Sequence, residues 1–174
     1  MQIKYENLSA KDWKRVETDW TQDAYTTLGT SPGDVLKAGS FQTLSFSQLF
    51  LSKFANGGMD MSCMWWEEET RQAFNVKIHD PVQVIGIGKA PYWYVWYARF
   101  APGHSPWTIN QDAYAVITGH PIPFIEEIMD WNRPNDKATS MPYTFSQMQK
   151  FDVTATPSAS HSNLSIEVQI TTKR

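Results

Sequence analysis

Cysteine is nearly absent from the 174-residue chain: Cys63 stands alone, so no disulfide bond can form within it. Charged residues are also few, at 19%, and the net charge is −3. Nucleic-acid binding needs a basic surface that neutralises phosphates, and electrostatic attraction to an anionic membrane needs one as well, so neither is expected. No hydrophobic run is long enough to span a membrane, and the first residues contain no apolar signal segment. We therefore expect a soluble protein that is cytoplasmic or secreted by a non-classical route.

The chain also lacks the motifs of common catalytic and cofactor sites. Its four histidines are not at the spacings of metal ligands, so neither a metal site nor a bound cofactor is predicted. Gly86-Ile87-Gly88 lacks the rest of a dinucleotide-binding fingerprint, and no Gly-x-Ser-x-Gly motif occurs. A glycosidase needs two carboxylates on opposite sides of a cleft, which three consecutive glutamates do not indicate. We therefore predict that the protein is not an enzyme.

Aromatic residues are abundant: eight Trp, seven Tyr and nine Phe make up 14% of the chain. With 41% hydrophobic residues, the chain has enough apolar surface to fold around a core, which excludes a disordered protein. At this length about 70% of the unfolded chain's surface can be buried. We expect one domain over residues 1–174. The question for function is how many aromatic side chains remain on its surface.

The hydrophobic pattern predicts a series of short strands. In the clearest, at residues 163–171, apolar residues alternate strictly with polar ones. Similar alternation predicts further strands at residues 3–6, 59–65 and 74–79, and the segment 92–100, which is aromatic on both faces, is predicted as a fifth strand. Prolines and the turn Asn56-Gly57-Gly58 separate these segments. Short strands spaced by turns are typical of an antiparallel β-sandwich.

Helical patterns are fewer. The segment from Pro123 to Trp131 places proline at the first helical position, glutamates in the first turn and apolar residues on one face, which predicts a short helix. Weaker patterns at residues 111–117 and 45–54 are compatible with a second one. The predicted fold is mainly β, an antiparallel β-sandwich with one or two short flanking helices.

Two aromatic clusters are candidates for a binding surface. In Trp65-Trp66-Glu67-Glu68-Glu69 a strand would point the tryptophans to opposite faces. This cluster is either an aromatic platform beside carboxylates or a strand that ends in a solvated acidic turn. In Tyr92-Trp93-Tyr94-Val95-Trp96-Tyr97 both faces of the predicted strand are aromatic. Either this strand is covered on both sides, or one face presents tyrosine and tryptophan to a ligand.

Five phrases follow one another in a characteristic order. They are Ile3-Lys4-Tyr5-Glu6-Asn7-Leu8-Ser9 leading to Trp13, Gly29-Thr30-Ser31, Gly57-Gly58-Met59 running to Trp65, the segment 74–81 followed by 92–100, and the alternating segment 158–170. This order resembles the actinoporins, the sea-anemone-type pore-forming cytolysins whose fold has relatives among fungal lectins and lipid-binding proteins. The resemblance covers most of the chain, and each phrase on its own is short.

The resemblance implies a β-sandwich flanked by two helices and a site for sphingomyelin. In that family a phosphocholine pocket lined by Tyr, Ser and Pro lies beside an exposed aromatic cluster. Aromatic faces and a carboxylate suit a trimethylammonium group, which has no hydrogen to donate. The candidate ligand-binding residues are Pro81, Tyr92, Trp93, Tyr94, Trp96, Tyr97, Trp107 and Tyr114. This chain has His79-Asp80-Pro81 in place of the family's Ser-x-Pro, and it is mildly acidic where the family is basic.

Actinoporins carry an amphipathic helix before the first strand, and that helix lines the pore. Here the first predicted strand begins at residue 2 or 3. We therefore expect a protein that binds a membrane lipid peripherally, through a zwitterionic headgroup, without forming a pore. Two alternatives stay open: a glycan-binding lectin on the same fold, and a capsid-like structural β-sandwich whose aromatic residues are interface anchors. Homo-oligomerisation is left open as well.

Overall fold

The computed structural model describes residues 1–20, 26–48, 59–80, 92–108, 125–131, 142–145, 148–160 and 163–174. The strands in these ranges are β1 Gln2–Asn7, β2 Trp13–Trp20, β3 Thr26–Thr30, β4 Val35–Leu36, β5 Phe41–Gln48, β6 Met59–Glu67, β7 Gln72–Asp80, β8 Tyr92–Phe100, β9 Ile125–Trp131, β10 Tyr143–Phe145, β11 Phe151–Ser160 and β12 Asn163–Thr172. A 3₁₀ turn spans Pro106–Thr108, and these ranges contain no α-helix. Nor does any helix in them have the length and apolarity that crossing a bilayer requires.

The strands form two six-stranded sheets. Sheet A has the order β10-β11-β12-β1-β5-β3, and sheet B has the order β4-β2-β6-β7-β8-β9. Neighbouring strands are antiparallel in both sheets, except that β1 and β12 run parallel at the centre of sheet A. The predicted class, a mainly β sandwich, is confirmed.

Each sheet turns one apolar face towards the other, and side chains from both faces form the main core. The apolar residues of β12 are buried there, as their alternation predicts; they are Leu164, Ile166, Val168 and Ile170. The polar residues between them face away from sheet B. The period of two residues in a strand therefore explains why a chain with modest hydrophobicity can fill a continuous core.

Aromatic rings fill the space between the two sheets. Tyr5 of sheet A stands edge-on to Trp65 of sheet B, with ring centroids 5.5 Å apart. Trp13 of sheet B is edge-on to Phe151 of sheet A at 5.2 Å and to Phe74 of its own sheet at 5.3 Å. All five side chains are buried. Such edge-to-face pairs add stability beyond the area that the rings bury.

The helix predicted from Pro123 to Trp131 is wrong over the residues that the structure describes. Residues Ile125–Trp131 are strand β9, which pairs antiparallel with β8 along the edge of sheet B. Proline and glutamates favour a helix start locally, but pairing with a neighbouring strand satisfies the same backbone groups and overrides that propensity. Of the second predicted helix, residues 45–48 belong to β5, and residues 49–54 and 111–117 lie outside the described ranges.

The run of three glutamates ends β6 in a turn. Glu67 is buried, and its carboxylate accepts hydrogen bonds from the backbone N–H groups of Glu69, at 3.1 Å, and Thr70, at 2.8 Å. The Thr70 hydroxyl donates to it as well, at 2.5 Å. Trp65 and Trp66, just before the turn, face opposite sides of sheet B and are both buried. Of the two interpretations of residues 65–69, the strand that ends in an acidic turn fits the structure, because both tryptophans are buried.

The exposed carboxylate of Glu69 links the two sheets at this end of the sandwich. It accepts hydrogen bonds from Lys11, before β2 of sheet B, and from Lys150, before β11 of sheet A, the latter at 2.6 Å. These two ammonium groups lower the pKa of Glu69 to about 2. Because all three groups are exposed, salt in the solvent screens the interaction.

Truncation of the aromatic core tests the packing between the sheets. Phe74 is fully buried between Trp13 and Tyr5, so we expect Phe74→Ala to lower the free energy of unfolding by about 3–5 kcal/mol. Phe41 is 65% exposed, so Phe41→Ala should change it by less than about 0.5 kcal/mol. Urea unfolding followed by tryptophan fluorescence measures both. Equal effects of the two variants would contradict this description of the core.

Acid should weaken the link at Glu69. Its pKa in the folded protein lies below the ordinary value of 4.5, so its contribution is present above pH 4.5 and is lost as the pH falls towards about 2. We therefore expect Glu69→Gln to destabilise the protein near neutral pH and to have little effect near pH 2. Urea unfolding of both proteins across this range gives the difference at each pH. A difference that stays constant from pH 7 to pH 2 would show that the link carries no such stability.

Candidate functional site

Strand β8 carries aromatic side chains on both faces because each face of the strand packs against a different set of residues. Trp93, Val95 and Tyr97 point towards sheet A and are fully buried in the main core. The alternate residues point away from sheet A, onto the outer face of sheet B. This outer face is divided into a buried part and a partly exposed part.

The buried part lies towards the end of β8. Trp96 and Phe100 join a second apolar cluster there, and Trp66 stands perpendicular to Phe100 with ring centroids 5.4 Å apart. The buried members of this cluster are Met64, Trp66, Ala73, Trp96, Ala98 and Phe100. Over these residues β8 is covered on both sides, so this part of its aromatic content serves packing.

The partly exposed part lies at the start of β8, where polar residues replace the apolar ones. In the pairing register, Asp60 of β6 is opposite His79 of β7, and His79 is opposite Tyr92 of β8. In the next row Lys77 is opposite Tyr94. We refer to Asp60, Lys77, His79, Tyr92 and Tyr94 as the outer-face cluster. Tyr92 and Tyr94 are half-buried.

Direct contacts connect the members of the outer-face cluster. One oxygen of Asp60 lies 2.7 Å from Nδ1 of His79, and the other lies 3.5 Å from Nζ of Lys77. The His79 ring packs against Tyr92 at a centroid distance of 4.7 Å. Nζ of Lys77 lies 6.0 Å from the centroid of the Tyr94 ring. A carboxylate, a lysine ammonium, an imidazole and two phenol rings therefore converge on one face of three adjacent strands.

These charged groups are partly removed from solvent. The side chains of Asp60 and His79 are 29% and 27% exposed, and that of Lys77 is 20% exposed. At such sites the effective dielectric constant is lower than in water, so charges and ring faces interact more strongly than at an open surface. The cluster can therefore recognise a small charged group with few contacts.

The structure does not bring all of the predicted site residues together. Trp107 is 53% exposed and edge-on to Trp66, near the end of β8. Tyr92 lies at the other end of β8, because the eight residue steps from Tyr92 to Phe100 span roughly 26 Å. Pro81 and Tyr114 lie outside the described residues. Of the predicted residues described on β8, Tyr92 and Tyr94 belong to the outer-face cluster, whereas Trp93, Trp96 and Tyr97 are buried.

Sequence reasoning missed the polar half of the cluster. No motif in the sequence marks Asp60 or Lys77 as a site residue, and His79 stands out only in the segment that replaces the Ser-x-Pro of the actinoporins. Alternation within β6 and β7 already places these residues opposite the apolar face. What brings them together is the register between the strands, because Asp60 and His79 are 19 residues apart in sequence.

A second surface feature is a depression of about 420 Å³ beside the β6–β7 turn. Its lining residues are Lys11, Asp12, Lys14, Val35, Lys37, Glu67, Glu68 and Glu69. The lysines in it are already paired: Lys14 lies 2.5 Å from Glu68, Lys37 lies 2.7 Å from Asp12, and Lys11 contacts Glu69. Over the described part of the chain, no three His, Cys, Asp or Glu residues are placed to hold a metal ion. The depression is therefore a network of ion pairs.

Comparison of the chain with protein-family models and with curated proteins gave no match. The resemblance to the actinoporins therefore stays a prediction that rests on the order of its sequence phrases. Function has to be inferred from the geometry of the outer-face cluster.

Proposed function

We propose that the protein binds the zwitterionic headgroup of a membrane lipid, of the phosphocholine type, at the outer-face cluster. The main support is the position of Lys77, whose ammonium lies 6.0 Å from the Tyr94 ring and 3.5 Å from the Asp60 carboxylate. A ring face and a carboxylate are the two groups that attract a quaternary ammonium, which cannot donate a hydrogen bond. The ring and the carboxylate already attract one cation, the ammonium of Lys77, so they can attract the quaternary ammonium of a ligand in its place.

The same cluster offers groups for the phosphate of such a headgroup. Lys77 has three N–H donors, and His79 provides ring nitrogens on the same strand. Neighbouring strands lie about 4.8 Å apart, so a cation over the rings of β8 and an anion above β7 would be close neighbours. In a phosphocholine the two charges are also joined by a short linker. Both halves of the headgroup would thus meet partners within two rows of the sheet.

The charge of the chain agrees with a zwitterionic ligand. A net charge of −3 gives no general attraction to anionic lipids, and a headgroup without net charge does not require one. Binding should therefore depend weakly on salt concentration, because few long-range charge interactions contribute to it.

Vesicle co-sedimentation tests the proposal. The protein should sediment with vesicles containing phosphatidylcholine or sphingomyelin. The double variant Tyr92→Ala/Tyr94→Ala should bind about 5- to 30-fold more weakly, since it removes both ring faces. Phe41→Ala is the matched control, because Phe41 is an exposed aromatic residue beside a lysine on sheet A, with Nζ of Lys4 5.6 Å from its ring. It should bind like the wild type.

Three results would count against the proposal. Equal binding by the double variant and the wild type would show that the outer-face cluster is not the site. Absence of sedimentation, together with haemagglutination that a simple sugar blocks, would favour the glycan-binding alternative. A large assembly in light scattering, with no binding of lipid or sugar, would favour the structural alternative. Thermal unfolding of the double variant shows whether its fold is retained.

A further inference from the structure

We infer that Lys77 is an internal competitor for the cation-binding site, so that a ligand's quaternary ammonium must displace its side chain from Tyr94 and Asp60. This inference rests on the proposed headgroup site and adds how that site is controlled. It predicts that the bare cation binds weakly in the wild type and that the phosphate-bearing headgroup binds better.

The position of Lys77 is that of a bound cation. Its ammonium is 6.0 Å from the ring centroid of Tyr94, at the outer limit of a cation–π contact, and 3.5 Å from an oxygen of Asp60. A second cation cannot occupy the same place, because like charges at van der Waals distance repel. A ligand with an ammonium group therefore gains the ring and the carboxylate only when Lys77 moves away.

Displacement of Lys77 does not leave the half-buried carboxylate of Asp60 without a partner. The other oxygen of Asp60 stays 2.7 Å from Nδ1 of His79. The lysine side chain is a flexible four-carbon stem with a strongly hydrated head, so it can turn its ammonium towards solvent. The exchange therefore replaces one set of contacts with another, without the large penalty of an unpaired carboxylate.

The displaced ammonium gives the site its preference among ligands. A phosphate attached to the ligand's cation would lie beside β7, where the ammonium of Lys77 can pair with it. Tetramethylammonium has no phosphate, so the ammonium of Lys77 gains no partner from this ligand when it is displaced. Removal of the Lys77 charge should therefore have opposite effects on these two ligands, which a merely structural lysine would not show.

Sheet A contains a contact of the same kind that serves as a control. Lys4 lies 5.6 Å from the ring of Phe41 and 2.9 Å from Glu167. Lys4 is 35% exposed and Phe41 is 65% exposed, so this contact is more open to solvent than that of Lys77. No second nitrogen base corresponding to His79 is described beside Glu167. Lys4→Met therefore removes a similar contact without changing the outer-face cluster.

The test is a titration with tetramethylammonium chloride, with sodium chloride at the same ionic strength as reference. Ring resonances of ¹³C-labelled tyrosine report binding, and Tyr94→Phe assigns the Tyr94 signal. We expect Lys77→Met to bind tetramethylammonium about fivefold more tightly than the wild type and to bind phosphocholine more weakly. Lys77→Arg keeps a cation that competes for the ring and the carboxylate, so it should bind tetramethylammonium no more tightly than the wild type, and Lys4→Met should behave like the wild type.

Unchanged or weaker tetramethylammonium binding by Lys77→Met would overturn the inference, as would an equal gain in Lys4→Met. A measurement on the wild type covers the case in which Lys77→Met does not fold. The ε-methylene protons of Lys77 should shift when saturating tetramethylammonium removes them from the ring current of Tyr94. An unchanged shift at saturation would also overturn the inference.

The two proposals fail in different ways. If vesicles are not bound but Lys77→Met still gains affinity for tetramethylammonium, the internal competitor stands and membrane binding is wrong. If vesicles bind through Tyr92 and Tyr94 but Lys77→Met gains nothing, the site stands and the competition is wrong.

Discussion

The structure depends on the two-residue period of strand β8. A strand points successive side chains to opposite faces, so a run of six residues with five aromatic ones must place rings on both sides of its sheet. Trp93 and Tyr97 fill the space against sheet A, and Trp96 belongs to a second buried cluster on the outer face. Sheet B is therefore packed on both faces over part of its area, and the aromatic excess in the composition is largely used for packing.

Fewer aromatic side chains remain for ligand recognition than the composition suggests. Tyr92 and Tyr94 are half-buried, and the rows that contain them bring in Lys77, His79 and Asp60 from neighbouring strands. The resulting contacts hold a lysine ammonium against a ring and a carboxylate. This one interaction supports both proposals: it indicates which ligand chemistry the face suits, and it identifies the group that such a ligand would have to displace.

Local pattern was sufficient for some strands, and insufficient elsewhere. β12 was predicted with nearly its observed bounds because its apolar residues mark one face, and β8 because its aromatic run is bounded by prolines on both sides. β9 was predicted as a helix because proline and glutamates near its start favour one, and only its pairing with β8 makes it a strand. The candidate site shows the same limit, since the tyrosines were visible in the sequence, whereas Asp60 and His79 come together only through the register between β6 and β7.

The most direct test of the central claim is an intermolecular nuclear Overhauser measurement with phosphocholine. Irradiation of its trimethylammonium protons should transfer magnetisation to the ring protons of Tyr92 and Tyr94, which lie opposite His79 and Lys77 on the outer face of sheet B. Transfer to those two rings, and none to Phe41 on sheet A, is the result that this account predicts. Transfer only to the exposed rings of Phe41 or Trp107, or to no ring at all, would contradict it.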